Sequence, residues 1–402
     1  MSTCAKCGAC ATVCPVFKIS GRESHTARGK LYLLEALGLK ESSSNFIDIF
    51  SACLLCGACS DICSRQIDIS KELVAARSTF SSLSGPHAYE KYLARKVLDS
   101  PERLAGLRFL AKTCGKVLGD KLPSGSGLRL RLALFHEDAF SVGPEAHHLK
   151  TISGGTSLTW FPGCSTRYLF PDIHSSCISL LADSSFSLQY PESLACCGLA
   201  DWAAGDLEGA RKNARTNIEA LETTAGPIMV SCASCYAHLK KYPEVFAKDT
   251  NWQKRAETMA SRVVEMSAFL EDQKPDRYET VSQSEQKLRV FYHDPCHLRN
   301  GAEAVDRARQ QLTKKGMIKI LELPGGPRCC GQGGLFHVAH PEISASIRDQ
   351  LVQDVLALQP DVVTSTCSGC LMQWQQGLAA AGSRVKVLHL AQLLEQEQKF
   401  CK

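Results

Sequence analysis

Two kinds of hydrophobic patterning divide the chain. In the first 118 residues the apolar positions recur at helical spacing. "ARGKLYLLEALGLK" carries its leucines on one face, and "NFIDIFSA" reads as a second short helix. The stretch 86–118 is helical by pattern, with Ser100 before Pro101 and Glu102 marking a restart. Residues 119–155 lose the periodicity and carry "PSGSG" and "SGGTS", the punctuation of a linker. From residue 156 short apolar runs alternate with amphipathic stretches: "SLTWF", a helix over "PDIHSSCISLLADS", "SFSLQYP", a helix over "DLEGARKNARTNIEAL", and "PIMVS". From residue 287 the order recurs: "KLRVFYH", "AVDRARQQLTKKG", "IKILELP", "PEISASIRDQLVQDVLAL", "DVVTST". The polar segment "EDQKPDRYETVSQSEQK" separates the two series. The pattern therefore predicts a multidomain chain. An α-helical domain spans 1–85, a helical segment and linker 86–155, and two duplicated α/β modules 156–272 and 286–402.

Composition narrows the class. The chain has 402 residues, 44% hydrophobic and 22% charged, ordinary values for a globular protein. No apolar run reaches the length of a membrane span. The opening "MSTCAKCGAC" has neither a basic stretch nor an apolar core, so it does not read as a secretory leader. A cytoplasmic location is expected, with peripheral docking on the inner face of a membrane through a partner. The chain holds 21 cysteines, too many for packing alone, and a reducing compartment disfavours disulfides. Metal ligation is the leading use. The formal charge of +5 counts every thiol as neutral. Each thiolate-bound cluster would add roughly two negative charges. No basic run is interleaved with aromatics, so nucleic acid is not an expected partner.

The cysteines fall into motifs. Residues 4–15 read "CAKCGACATVCP" and residues 53–64 read "CLLCGACSDICS". Both follow C-x2-C-x2-C-x3-C, the run in which three cysteines wrap one [4Fe–4S] cube and the fourth ligates the other. Cys4, Cys7, Cys10 and Cys63 are assigned to one cubane cluster, and Cys53, Cys56, Cys59 and Cys14 to the second. A zinc site would use C-x2-C pairs but does not account for a three-plus-one pattern occurring twice. The first run ends in Pro15 and the second in Ser64, which is not a ligand position. The N-terminal domain is therefore expected to be a helical, ferredoxin-type domain. Arg28 and Lys30 lie near the first run. A place beside a cluster is open to both, but a solvated helix face is the simpler reading of Lys30.

The duplicated modules hold five cysteines each, in one order. Cys164 matches Cys296 at an offset of 132, Cys196 and Cys197 match Cys329 and Cys330 at 133, and Cys232 and Cys235 match Cys367 and Cys370 at 135. Each group follows a predicted strand, and loops at the carboxyl ends of strands in an α/β sheet gather at one edge. The adjacent pairs in "ACCG" and "RCCG" would make strained vicinal disulfides, or could be buried free thiols. Convergence of five thiolates on one metal assembly accounts best for the repeat, and a fifth ligand favours a multi-iron cluster over a single zinc. The glycine after each pair is expected to let the backbone approach that assembly. Cys177 sits with Ile173 and Leu180 on a helix face and reads as packing. Cys114 reads as a packed thiol and Cys401 as a terminal one.

The spacing C-x31-CC-x34-C-x2-C, then C-x32-CC-x36-C-x2-C, resembles the cysteine-rich CCG domain of heterodisulfide reductase and of the iron–sulfur subunits of glycolate and D-lactate dehydrogenases. Two ferredoxin-type runs followed by two such modules resemble the glycolate oxidase iron–sulfur subunit and the D-type heterodisulfide reductase subunit. "CGACATVCPVF" followed by "ARGKLYLL" is closer to the former. The resemblance implies two cubane [4Fe–4S] clusters and one or two further clusters in the CCG modules. Those further clusters are noncubane [4Fe–4S] assemblies in the heterodisulfide reductase relatives, and all ten matching cysteines are present here.

No nucleotide-binding fingerprint is visible; "GSGLRL" lacks the third glycine and its context. No flavin is expected on this chain. The function expected is an electron-transfer subunit of an oxidoreductase. A partner FAD-binding dehydrogenase would oxidise D-lactate or glycolate, and the clusters would pass electrons to a quinone or another carrier. The alternative makes the chain catalytic, reducing a disulfide at a CCG-bound cluster, with His293, Asp294 and His297 around Cys296 open to a proton-coupled step. Hydrogen bonding and loop capping are the preferred roles for those three residues. A regulatory sensor is disfavoured, because four cluster sites exceed what sensing needs.

Overall fold

A computed structural model describes residues 4–38, 43–80, 85–98, 155–181, 186–273, 287–300, 305–314 and 316–400. The restart at Ser100, the linker 119–155 apart from its last residue, Cys114 and Cys401 lie outside the described residues.

Each of the two modules is built on a four-stranded, all-parallel sheet. The first holds β1 (Thr156–Phe161), β2 (Phe186–Gln189), β3 (Ile228–Val230) and β4 (Val263–Glu265) in the order β2-β1-β3-β4. The second holds β5 (Leu288–Tyr292), β6 (Ile318–Leu321), β7 (Val362–Ser365) and β8 (Lys386–His389) in the order β6-β5-β7-β8. Parallel neighbours require crossover connections, and helices such as Pro171–Leu181, Leu207–Glu222 and Pro341–Ala357 make them. In each sheet the chain starts at a central strand, winds to one side and then to the other. The connections after β1 and β3, and after β5 and β7, therefore diverge at the carboxyl edge and leave a crevice there.

Phe161 pairs with Val230 across β1 and β3, and Tyr292 with Thr364 across β5 and β7. The sequence pattern does not predict the edge strands β4 and β8. The three residues of β4 directly continue the helix Thr250–Arg262, so no turn residue announces the change.

The two modules share their cores. One apolar cluster joins Phe161, Ile218 and Val230 to Phe291, Val363 and Trp374. A second joins Leu158 and Met229 to Val290 and Leu390. The last helix, Leu390–Phe400, leaves the second module and lies on Pro171–Leu181 of the first, where Ser176 Oγ donates to Glu395 Oε2 at 2.7 Å.

The N-terminal domain is helical. The patterned helices form at Ala27–Leu37 and Ser44–Ser51, around a core of Leu34, Phe46, Phe50 and Leu73. Thr26 caps the first by accepting from Gly29 N at 3.0 Å, and Asp68 caps Ile69–Arg77 by accepting from Lys71 N at 3.1 Å. Gly29 has no room for a Cβ, which would lie 2.2 Å from the Glu23 carbonyl oxygen. The domain docks on both modules. Asn300 Nδ2 donates to Cys56 O at 2.7 Å, Ser51 Oγ meets His340 Nε2 at 2.7 Å, and Arg77 Nη1 donates to Ala203 O at 2.5 Å. Among the described residues no helix is long and apolar enough to cross a membrane.

Candidate iron–sulfur sites

The two N-terminal cysteine runs fold alike. In each, a tight loop leads through a left-handed glycine, Gly8 at φ 84° and Gly57 at φ 80°, into a short helix, Ala9–Val13 or Ala58–Asp61. Lys6 and Leu55, two residues after the first cysteine, also have positive φ, and each donates its N–H to that cysteine's Sγ at 3.4 Å. Two cavities result. Cys4, Cys7, Cys10 and Cys63 line one, beside Arg28. Cys14, Cys53, Cys56 and Cys59 line the other, with His25 and Lys30, and Cys59 also borders the first. The fourth cysteine of each run thus crosses to the other run's cavity.

The surroundings of the second cavity fit an anionic group. Lys30 is buried, with Nζ donating to the carbonyls of His25 at 2.5 Å and Ala52 at 3.1 Å, and no carboxylate pairs with it among the described residues. This corrects the solvated-face reading. Ala27, Lys30 and Leu34 share the i, i+3, i+7 face that packs inward, so the signal was in the sequence. Arg77 spreads its guanidinium over the carbonyls of Phe50, Ser51, Cys53 and Ala203. Nothing in "ELVAAR" distinguishes that arginine from a solvated helix end. His25 Nε2 is buried without a hydrogen-bond partner. Two cations and an orphaned imidazole nitrogen around four cysteines match a thiolate-bound cluster. Without one, burial pushes the Cys14, Cys56 and Cys59 thiols up. Arg28 stays at the surface, held by Glu23 at 2.7 Å and by Lys6 O at 3.2 Å, beside the first loop.

In each CCG module the cysteines gather at the carboxyl edge of the sheet. In the first, Cys164 follows β1, Cys196 and Cys197 follow β2, and Cys232 and Cys235 follow β3. Cys164 and Cys196 lie 3.7 Å apart through their sulfurs, and the Cys197 thiol contacts those of Cys196 and Cys235. In the second, Cys330 and Cys370 are 3.4 Å apart, and Cys329 contacts Cys296 and Cys330. The groups meet where Cys232 contacts Cys367. There the serines of "CASC" and "CSGC" exchange: Ser234 Oγ lies 3.1 Å from Cys367 Sγ, and Ser368 Oγ lies 3.2 Å from Cys232 Sγ. At the far side Cys56 of the N-terminal domain lies in the electrostatic reach of Cys329 and Cys296. Within each packed group a thiol that donates to a neighbouring sulfur stabilises that neighbour's anion and is itself pushed up, as are Cys235 and Cys296. Hydrogen bonds from Cys235 and Cys367 hold the Cys232 thiol well below its ordinary value, and those from Cys296 and Cys330 do so for Cys329.

The glycines of the "CCG" motifs do something other than expected. Gly198 and Gly331 have φ of +84° and +86°, which already favours glycine. Their missing Cβ makes room for a helix further along, Leu207–Glu222 at Gly198 and Pro341–Ala357 at Gly331, rather than for the sulfurs. At Gly331 a Cβ would lie 2.8 Å from Ser344 O, and at Gly198 it would lie 3.3 Å from Ala210 O. Asp294 and His297 make hydrogen bonds of the kind preferred above. Asp294 accepts from Arg309 Nε and Nη2 at 2.9 and 2.6 Å, and His297 Nδ1 contacts Ser234 Oγ at 3.0 Å. Cys177 is buried with Sγ 3.4 Å from Met266 Sδ, apart from both groups.

Two clefts reach the CCG sulfurs. One of about 770 Å³, between the N-terminal domain and the second module, is bordered by Cys56, Cys329, Lys18, Arg299 and Arg328. The other, about 320 Å³, is bordered by Cys164, Cys196, Arg167 and Lys212.

The chain is similar to known proteins. A family model described as a 4Fe-4S dicluster domain matches residues 1–67, and one described as a cysteine-rich domain matches residues 158–240 and 290–375. The chain is 25% identical to the probable glycolate oxidase iron-sulfur subunit of Bacillus subtilis, over 97% of this chain and 92% of that protein. It is 23% identical to the glycolate oxidase iron-sulfur subunit of Escherichia coli, over 98% and 94%. It is 29% identical to the lactate utilization protein A of Oceanobacillus iheyensis, over 58% of this chain and 94% of that protein.

Proposed function

We infer, for an iron–sulfur protein that joins a 4Fe-4S dicluster domain to two cysteine-rich domains and is homologous to glycolate oxidase iron–sulfur subunits over nearly its whole length, that it is the electron-transfer subunit of a 2-hydroxy-acid dehydrogenase. A partner FAD-binding chain oxidises D-lactate or glycolate. The electrons pass through this chain to a quinone or another carrier. Cys4, Cys7, Cys10 and Cys63 hold one cubane cluster, and Cys14, Cys53, Cys56 and Cys59 hold the other. Cys164, Cys196, Cys197, Cys232 and Cys235 form a third site, and Cys296, Cys329, Cys330, Cys367 and Cys370 a fourth.

The observation that carries this reading is the unbroken succession of cysteine groups. The two N-terminal cavities share Cys59, Cys56 borders the second module's group, and Cys367 touches Cys232 of the first. A path of adjoining redox sites suits a conduit. The clusters supply one-electron storage when bound, and the chain supplies ligands, burial and countercharge.

One observation favours a second reading, disulfide reduction by this chain. The 770 Å³ cleft beside Cys329 has the size of a small-molecule site and a cationic rim. Anaerobic purification of the native complex, with flavin and haem read by spectroscopy, tests both. Flavin in a co-purifying chain, with clusters reduced by D-lactate or glycolate, is expected. A b-type cytochrome partner without flavin, with disulfide reduction by the chain, would replace the first reading with the second.

A further inference from the structure

The two CCG sites are built on one plan, so a difference between them at an equivalent position has chemical meaning. Three residues before the first cysteine of each group, the first module has Phe161 and the second has His293. Strand register supports the equivalence independently. Phe161 pairs with Val230, two residues before Cys232. Tyr292 pairs with Thr364, which sets His293 opposite Ser365, two residues before Cys367, and Ser365 Oγ donates to His293 O at 2.9 Å.

Both side chains are buried in the neighbourhood of the corresponding sulfurs. Phe161 is fully buried in the cluster that contains Cys197 and Cys235. His293 is 2% exposed, and a ring nitrogen lies within 4.8 Å of the sulfurs of Cys330 and Cys370, the counterparts of those two cysteines. Its Nε2 is buried with no hydrogen-bond partner, a costly arrangement unless something absent from the described residues receives it. Trp374 packs edge-on against the ring, with centroids 5.6 Å apart, and helps to fix its orientation.

We propose that His293 makes the two CCG sites electronically unequal: it directs a ring N–H at the metal-bound sulfurs of the second site and raises that site's reduction potential above the first, where phenylalanine offers no donor. This rests on the reading of both five-cysteine groups as iron–sulfur sites. A hydrogen bond to cluster sulfur stabilises the reduced, more negative state, and hydrogen bonding to the sulfurs is among the terms that set cluster potentials. His293 is thus a positioning residue that acts through the cysteine sulfurs. Electrons entering the CCG pair would settle on the second site, next to Cys56, before the first.

The test is an EPR-monitored redox titration of the full chain, purified anaerobically, with iron counted on every sample. His293→Phe is expected to lower the potential of the second site and leave the first unchanged. His293→Gln, which keeps a side-chain N–H, is expected to retain most of the wild-type value. Phe161→His is expected to raise the potential of the first site. An unmoved potential in His293→Phe with iron retained would overturn the proposal, as would equal shifts at both sites. If His293→Phe loses the second cluster, the reciprocal variant decides alone, a rise supporting the proposal and no shift refuting it. Failure of the underlying reading has a different signature: iron per chain that does not fall in Cys330→Ser or in Cys197→Ser.

Discussion

Arg77 ties the N-terminal domain together and to the first CCG module, and replacing it by methionine tests how much that tie contributes. Its Nε donates to Phe50 O at 3.1 Å, Nη2 to Ser51 O at 3.1 Å and Cys53 O at 2.8 Å, and Nη1 to Ala203 O at 2.5 Å. The first three carbonyls lie at the end of the helix Ser44–Ser51 and in the loop that starts the second cysteine run. The fourth lies in the helix Leu199–Ala204, which follows the first module's adjacent cysteines. Methionine keeps much of the aliphatic length and removes every donor. The Ser51 carbonyl keeps the Cys53 N–H at 2.8 Å, so three carbonyls lose their donor. At about 1–3 kcal/mol for each stranded acceptor the loss is about 3–9 kcal/mol. The guanidinium's own desolvation cost disappears with it and offsets part of the loss, which brings the expected net to the lower part of that range, about 3–5 kcal/mol. At about 2.1 cal/mol/K per residue, a chain of this size that unfolds as one unit would lose about 4–6 °C. Calorimetry on anaerobic holoprotein of matched iron content measures it, and cluster absorbance should disappear in the same transition. Arg77→Lys, with one compact ammonium, should fall between the two. A drop below about 1 °C in Arg77→Met would refute the reasoning, because the carbonyls would then be finding water without cost.

Two further outcomes follow from buried groups. Lys30→Met removes a buried positive charge beside Cys14, Cys53 and Cys59, so the reduced state there loses stabilisation. The potential of that cluster should fall in a redox titration while the one held by Cys4, Cys7, Cys10 and Cys63 moves less; a rise would contradict the countercharge role. His174 stacks on Trp160 with ring centroids 4.2 Å apart, and burial pulls its imidazole down to about 4. A depressed histidine stabilises the fold above the unfolded value near 6.5, and that contribution is lost as pH falls toward 4, by no more than about 3 kcal/mol. His174→Phe should keep the stack and make the acid side of a melting-temperature profile shallower between pH 6 and 4; an unchanged slope would show that other groups set it.

The sequence by itself determined the elements and the inventory. Period-2 and period-3.6 patterns located six of the eight described strands and the major helices, because burial of one face leaves a record in the order of residues. The cysteine spacings grouped the candidate ligands, because chemistry that needs several thiolates on one metal assembly constrains which residues stand where. The duplication was legible for the same reason. β4 and β8 were not, since three or four residues without a turn signal carry too little pattern.

Only the tertiary structure decided which groups adjoin. The meeting of Cys232 with Cys367, and of Cys56 with Cys329, joins residues more than a hundred positions apart through packed sheets and a docked domain. Sequence spacing holds no trace of such contacts. The same holds for Lys30, whose burial depends on what covers it, for Arg77, whose carbonyl partners come from two domains, and for the glycines of the "CCG" motifs, whose space is taken by a helix rather than by the metal site. Local order along a chain fixes local conformation and residue chemistry. The environment that gives each residue its energy is assembled by the whole fold.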